Sequence, residues 1–230
     1  MSKKRILTKN EILAYLELVN EKLAVQDVFG EINICGGAAM TLAYDARDST
    51  YDIDALYKPK DEMVKIIAEI AEEYGLSGQW LNDDVAMFAK ELALTSSTYL
   101  KLSNLTVEVV DAKYLLAMKL LAAREDSQDL HDATILTTHL QIKSVDELHS
   151  LIDTYYKGRY HPQTLQVSKA FAKVVFEHAS QPKDDTETSN DCKNSVLAEI
   201  VEHKERQKST TAKTDDTPNP TKKKHKDVEL

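Results

Sequence analysis

The sequence predicts an α+β fold, in which a small mixed sheet with helices is followed by a C-terminal helical half and a disordered polar tail. Three observations carry that expectation. Residues Ile32 to Asp54 read as a short apolar strand, a Gly-Gly turn, a small helix and a second strand. Residues Thr98 to Asp111 read as a hairpin, with Ser103-Asn104 at the turn. From Asp111 onward the segments are helical, and beyond Gln181 the composition turns polar. The expected divisions are an α/β core over 1–110, a helical domain over 111–180 and a disordered polar tail over 181–230.

Each element has a local reason. Thr8-Lys9-Asn10-Glu11 is a capping box, and Ile12, Leu13, Leu16, Val19 and Leu23 follow near a 3.6 period. Gly30 ends that helix, and the first core strand starts at Glu31. The helix after the glycines spans Ala38 to Tyr44, and the strand carrying Asp52 and Asp54 continues through Tyr57 until Pro59 stops it. Asp61 caps a helix from Glu62 to Tyr74, with Met63, Ile66, Ile67 and Ile70 on its buried face. The stretch Trp80 to Leu94 is ambiguous: Leu81 to Asp84 fits a loop or a helix start, and Val85 to Lys90 fits a helix. Asp111 caps AKYLLAMKLLAAR, apolar nearly all round and so a central buried helix. A helix over Ala133 to Leu140 follows, then a second capping box at Ser144 to Glu147 opening a helix to Tyr156. Pro162 starts the last helix, which runs to about His178. Ser195 to Gln207 reads as a lone charged helix. The remaining end buries too little apolar surface to offset its ordering entropy.

Composition excludes some classes of function. Hydrophobic content of 42% and charged content of 29% fit a globular protein, and no apolar run reaches the length of a membrane span. The leading MSKKRILTKNE lacks the apolar core of a secretory signal. The two cysteines, Cys35 and Cys192, sit in unlike surroundings, a pattern that fits reduced thiols in the cytoplasm. A formal net charge of −9 argues against a broad cationic grip on nucleic acid. The KKKHK run near the end reads first as a solvated tail.

The chemistry concentrates in INICGGAAMTLAYDARDSTYDID. Gly36 and Gly37 lack a Cβ, so the backbone can turn sharply and approach a ligand there. The N–H groups that open the following helix favour phosphate. Asp52 and Asp54, two apart in a strand, put both carboxylates on one face with Ile53 in the core. Two adjacent carboxylates repel unless a proton or cation lies between them, and Mg²⁺ is the hard cation that accompanies nucleotides.

This order resembles the DNA polymerase beta-like nucleotidyltransferase superfamily, on the residues Gly36, Gly37, Asp52 and Asp54. The segment RDSTYDID, Arg47 to Asp54, is similar to the form found in its bacterial toxin and abortive-infection (AbiEii-like) branch. So is YLLAMKLLAAREDSQDLHD, where Lys119, Arg124, Asp129 and Asp132 match and Gln128 replaces the motif's lysine. The two matches span about residues 32 to 140. The resemblance implies a Mg²⁺-dependent nucleotidyltransferase that moves NMP from an NTP such as ATP to a hydroxyl of tRNA or protein. It also implies a toxin–antitoxin or phage-defence setting, with an antitoxin as partner and no membrane. Gly36, Gly37, Arg47, Thr50 and Lys119 would bind nucleotide. Asp52, Asp54 and a third carboxylate would hold the metal. Glu108, mid-strand, competes for that third place with the helix cap Asp111, or the place is empty. Asp132 would orient Lys119 or accept the nucleophile's proton.

Plainer readings stand beside these. A Gly-Gly is ordinarily a turn, and an Asp-x-Asp is ordinarily solvated. Lys119 fits a snorkelling side chain, and Asp129 and Asp132 fit the first turn of a helix. Cys35 suits a small buried hydrophobe. Trp80 and the tyrosines suit the core, with Tyr44 or Tyr57 placed to stack on a base. The competing functional expectation is a catalytically inactive binding module of the same fold, motivated by Gln128 and the open third carboxylate.

Overall fold

Alternation of apolar residues builds the sheet. Ile32 and Ile34 pair with Val107 and Val109 on one side, Ile34 pairs with Ala55 on the other, Ile53 lies two residues before Ala55 on the same face, and all six are buried. The computed structural model describes residues 5–86, 95–122 and 128–181, which fall within one compact unit. In chain order the elements begin with β1 (Leu7–Thr8), α1 (Lys9–Val25), β2 (Gly30–Ile34), α2 (Gly36–Leu42), β3 (Ser49–Thr50), β4 (Ile53–Lys58) and α3 (Lys60–Tyr74). There follow β5 (Leu81–Asn82), β6 (Ser96–Lys101), β7 (Leu105–Val110) and α4 (Ala112–Ala122). The last three are α5 (Gln128–His139), α6 (Val145–Tyr156) and α7 (Pro162–Ser180).

The main sheet has the order β5-β4-β2-β7-β6 and is mixed. β2 runs antiparallel to β4 and parallel to β7, β4 runs parallel to β5, and β6–β7 is the antiparallel hairpin. β1 and β3 form a separate two-stranded sheet, pairing Leu7 with Thr50. α1 and α3 pack on each other and on β7 and β4. They do so through buried Ile12, Leu16, Val19 and Leu23 on α1 and Met63, Ile66 and Ile70 on α3. The predicted α+β class, with its mixed sheet and helical second half, is the observed one.

Caps fix the element ends. The Thr8 side chain accepts from the Glu11 N–H while the Glu11 carboxylate accepts from the Thr8 N–H at 2.7 Å, a complete capping box. α3 starts at Lys60, because Pro59 supplies the extended residue before it, and Asp61 and Glu62 become first-turn acids. Its far end closes on Gly75 in the left-handed region (φ 64°), where the Leu76 N–H reaches the Ala71 carbonyl. At α6 the Ser144 hydroxyl accepts from Glu147 N–H, but the Glu147 carboxylate returns to the Lys143 N–H, one residue earlier than a capping box requires.

Two other expectations shift. The strand expected to carry both Asp52 and Asp54 holds only Asp54: Ser49–Thr50 pairs with β1, the chain bends at Tyr51, and β4 begins at Ile53, after Asp52. Leu81–Asn82 is neither loop nor helix start but a strand, pairing Ile53 with Leu81 and Asp54 with Asn82. In the second half, α4 packs against α5, α6 and α7, with Tyr114, Leu115, Leu116 and Leu120 buried as its all-apolar sequence requires. No helix among the described residues is long and apolar enough to cross a membrane. The expected helix from Val85 to Lys90 lies mostly outside the described residues, as do Arg124 and the tail from 182.

Candidate nucleotide and metal site

The two glycines open α2 instead of preceding it; Gly36 faces Asp54 of β4, and Gly37 faces Thr50 of β3 with Arg47 before it. Gly36 has φ +59°, and a Cβ there would fall 2.5 Å from Asp54 Oδ2. A Cβ on Gly37 would fall 2.6 Å from Thr50 Oγ1 and 3.0 Å from Arg47 Nη1. The turn is therefore packed directly on Arg47, Thr50 and Asp54. A backbone hydrogen bond from Cys35 N–H to the Asp54 carbonyl, 2.8 Å, holds the two segments in register.

Asp54 is the electrostatic centre. Burial pushes its carboxyl above the ordinary aspartate range, and the charges of Asp52 and Asp84 push the same way. A hydrogen bond from Asn82 and the charge of Lys119 oppose that shift. Asp52 lies just before β4 and still acts on Asp54 through space. Cys35, beside them, is buried, and burial together with the Asp54 charge pushes its thiol up to about 12.

Lys119 enters from α4. Its Nζ donates to Asp129 Oδ1 at 2.6 Å and lies 2.9 Å from Asp132 Oδ2. Arg47 meets the same Asp132: Nε donates to Oδ1 at 2.7 Å and Nη2 donates to Oδ2. Its Nη1 donates to Gln128 Oε1 at 2.8 Å. The two sequence motifs, separated by a hairpin and a helix, thus meet in one cluster beside the glycine turn.

Glu108 is not brought to the Asp52–Asp54 pair. It sits opposite Asn33 of β2, whose own partner on β4 is Leu56, two residues beyond Asp54. Its carboxylate accepts from Ser96 Oγ at 2.7 Å and from Asn33 Nδ2 at 3.4 Å. It lines a separate cavity of about 280 Å³ with Glu31, Tyr57 and Lys58. Asp111 accepts from the Tyr114 N–H at 2.8 Å and from the Thr95 hydroxyl, which is the work of a helix cap. Asn82 and Asp84 do act on Asp54, and both lie in the stretch whose pattern fits either a loop or a helix start. Tyr44 donates to the Val110 carbonyl at 3.0 Å with its ring against His139, and Tyr57 lies under Lys60 Nζ at 4.4 Å. Both rings have structural neighbours.

Among the described residues no group of three or more His, Cys, Asp or Glu side chains is arranged as a complete metal cage. Mg²⁺ does not need one: it is ordinarily held by one or two carboxylates, with water and substrate phosphate completing the octahedron. Asp52 and Asp54, close enough for one charge to raise the other's proton affinity, match that half-site, and a divalent cation would relieve their repulsion. Comparisons of the chain with protein-family models, with curated proteins and with solved structures found no match.

Proposed function

We propose that the protein is a Mg²⁺-dependent nucleotidyltransferase that moves NMP from an NTP to an acceptor hydroxyl. The observation that carries this reading is the packing of Gly36 on Asp54 and of Gly37 on Thr50 and Arg47. A phosphate-accommodating turn and a metal-binding carboxylate in direct contact are what nucleotidyl transfer requires. Asp52 and Asp54 would hold the ion, with Asn82 and Asp84 next to them. The metal supplies charge neutralisation at the phosphates. Lys119, whose charge acts on Asp54, would add a positive point charge on the phosphate side. The charges of Asp52 and Asp84 both raise the proton affinity of Asp54, so an NTP would enter with its metal. The two cysteines and this chemistry suit a cytoplasmic setting.

The test is transfer of label from each α-labelled NTP with Mg²⁺, in one arm to total tRNA and in another to cell protein. The expected result is a labelled acceptor in one arm, abolished by Asp52→Ala with Asp54→Ala. Transfer that survives the double substitution refutes the assignment. A second reading, a nucleotide-binding module without turnover, is favoured by the engagement of Glu108 with Ser96 and Asn33, away from Asp54. It predicts Mg²⁺-dependent binding of NTP with no labelled acceptor in either arm.

A further inference from the structure

Asp132, in the first turns of α5, is fully buried (0% exposed), and cations engage both of its oxygens. Arg47, from the segment before β3, takes Oδ1 and Oδ2, and Lys119 of α4 lies against Oδ2. Asp129 gives Lys119 a second anion, and Gln128 Oε1 accepts from Arg47 Nη1. Among the described residues, two cations, Arg47 and Lys119, face two carboxylates, Asp129 and Asp132. Removing one member of such a buried set leaves another uncompensated, so the members hold one another in place. The cluster reaches the glycine turn through Arg47 Nη1, 3.0 Å from where a Cβ on Gly37 would stand.

We propose that Asp132 is a positioning residue, the shared anion of a two-cation clamp. The clamp seats Arg47 behind the glycine turn, orients Lys119 toward the Asp54 side, and ties α5 to the nucleotide. The inference rests on the nucleotide reading of the turn. It departs from a proton-accepting role, because a general base needs an oxygen open to the nucleophile, and those of Asp132 are turned to cations in the interior. It also accounts for Gln128: a neutral acceptor suits Arg47 Nη1, whereas a lysine would place a second cation against it.

The experiment is titration calorimetry of the full chain with Mg·ATP, Mg·CTP, Mg·GTP and Mg·UTP. It compares wild type with Asp132→Asn, Arg47→Gln, the double variant and Gln128→Ala, each held below its own unfolding temperature. Asp132→Asn is expected to weaken the bound nucleotide at least tenfold. Arg47→Gln on that background should add less than twofold, since the clamp is already open. Wild-type affinity in Asp132→Asn with only transfer lost would overturn the clamp in favour of a base, and multiplicative effects would overturn it too. If Asp132→Asn does not fold, Gln128→Ala decides: a severalfold weaker Kd supports the clamp and an unchanged Kd overturns it. If folded wild type binds none of the four, the nucleotide reading fails. The clamp is then judged by urea midpoints of the Arg47→Gln and Asp132→Asn cycle, where non-additivity supports it and additivity overturns it.

Discussion

Arg47 and Asp132, 85 residues apart in the chain, form a two-point ion pair through Nε–Oδ1 and Nη2–Oδ2. Planar guanidinium and carboxylate match each other in this geometry, and lysine cannot reproduce it. The pair joins the sheet side of the site to the helical half.

Breaking it by removing one partner leaves the other charge buried. Asp132→Ala is expected to destabilise the fold by about 3–5 kcal/mol, the range for an orphaned buried ion. Arg47→Lys, which keeps the charge but loses the two-point geometry, should cost clearly less. Urea unfolding at pH 7 measures both. Equal, sub-kilocalorie losses would mean that the pair is not a structural joint.

Gly36 meets two constraints at once, a left-handed backbone and Asp54 Oδ2 where a Cβ would be. Gly36→Ala is therefore expected to displace the Asp54 side chain and to lose any thermal stabilisation by Mg²⁺. Gly75 is the control: it also has positive φ, but nothing lies within 4 Å of its added Cβ, so Gly75→Ala should cost only backbone strain, about 1 kcal/mol, and keep the Mg²⁺ response. Thermal melts with and without Mg²⁺ read this directly.

The raised proton affinity of Asp54 sets a pH dependence. In the metal-free protein the folded state keeps this proton at a pH where the unfolded chain has released it. Stability contributed by this group therefore falls as pH rises from the ordinary aspartate value through the raised folded value. Asp54→Asn should consequently be more stable than wild type at pH 7 without metal, and the advantage should shrink toward pH 4. Added Mg²⁺ should stabilise wild type and leave Asp54→Asn unmoved. A variant less stable than wild type at pH 7 would show that the ionised carboxylate is already compensated.

Cys35, with its thiol pushed up to about 12 by burial and by Asp54, holds almost no thiolate near neutrality. Iodoacetamide at pH 8 should leave the Cys35 peptide unmodified in native protein and label it in urea. Peptide mapping after a timed reaction checks this, and rapid native labelling would mean the α2 turn opens readily.

Local signals were legible before the structure, and long-range ones were not. The Thr8–Glu11 box appears as its adjacent residues predict, whereas Gly36 and Gly37 open α2 where a turn ahead of it is expected, and of the Asp-x-Asp pair only Asp54 lies in a strand. Asp52 differs because the pull of β1 on Ser49–Thr50, a contact invisible in sequence, breaks the strand ahead of it. Alternation correctly separates Glu108 from buried Val107 and Val109, but a face is not a position. The intervening β2 and the register through Asn33 decide its distance from Asp54. A two-residue strand has no period to detect, so only the pairing of β5 with β4 reveals that Asn82 lies beside Asp54, with Asp84 two residues on. The sequence alone leaves Asp132 between several roles, and its contact with Arg47, 85 residues away, is what separates them.

One metal-dependent nucleotide site at the turn is open to test by a crystal grown or soaked with a non-hydrolysable NTP and Mg²⁺. The expected result is a cation held by Asp52 and Asp54, with the nucleotide's phosphates at Gly36–Gly37 and beside Lys119. A nucleotide bound away from this turn, or a metal held elsewhere with Asp52 and Asp54 unliganded, would contradict it.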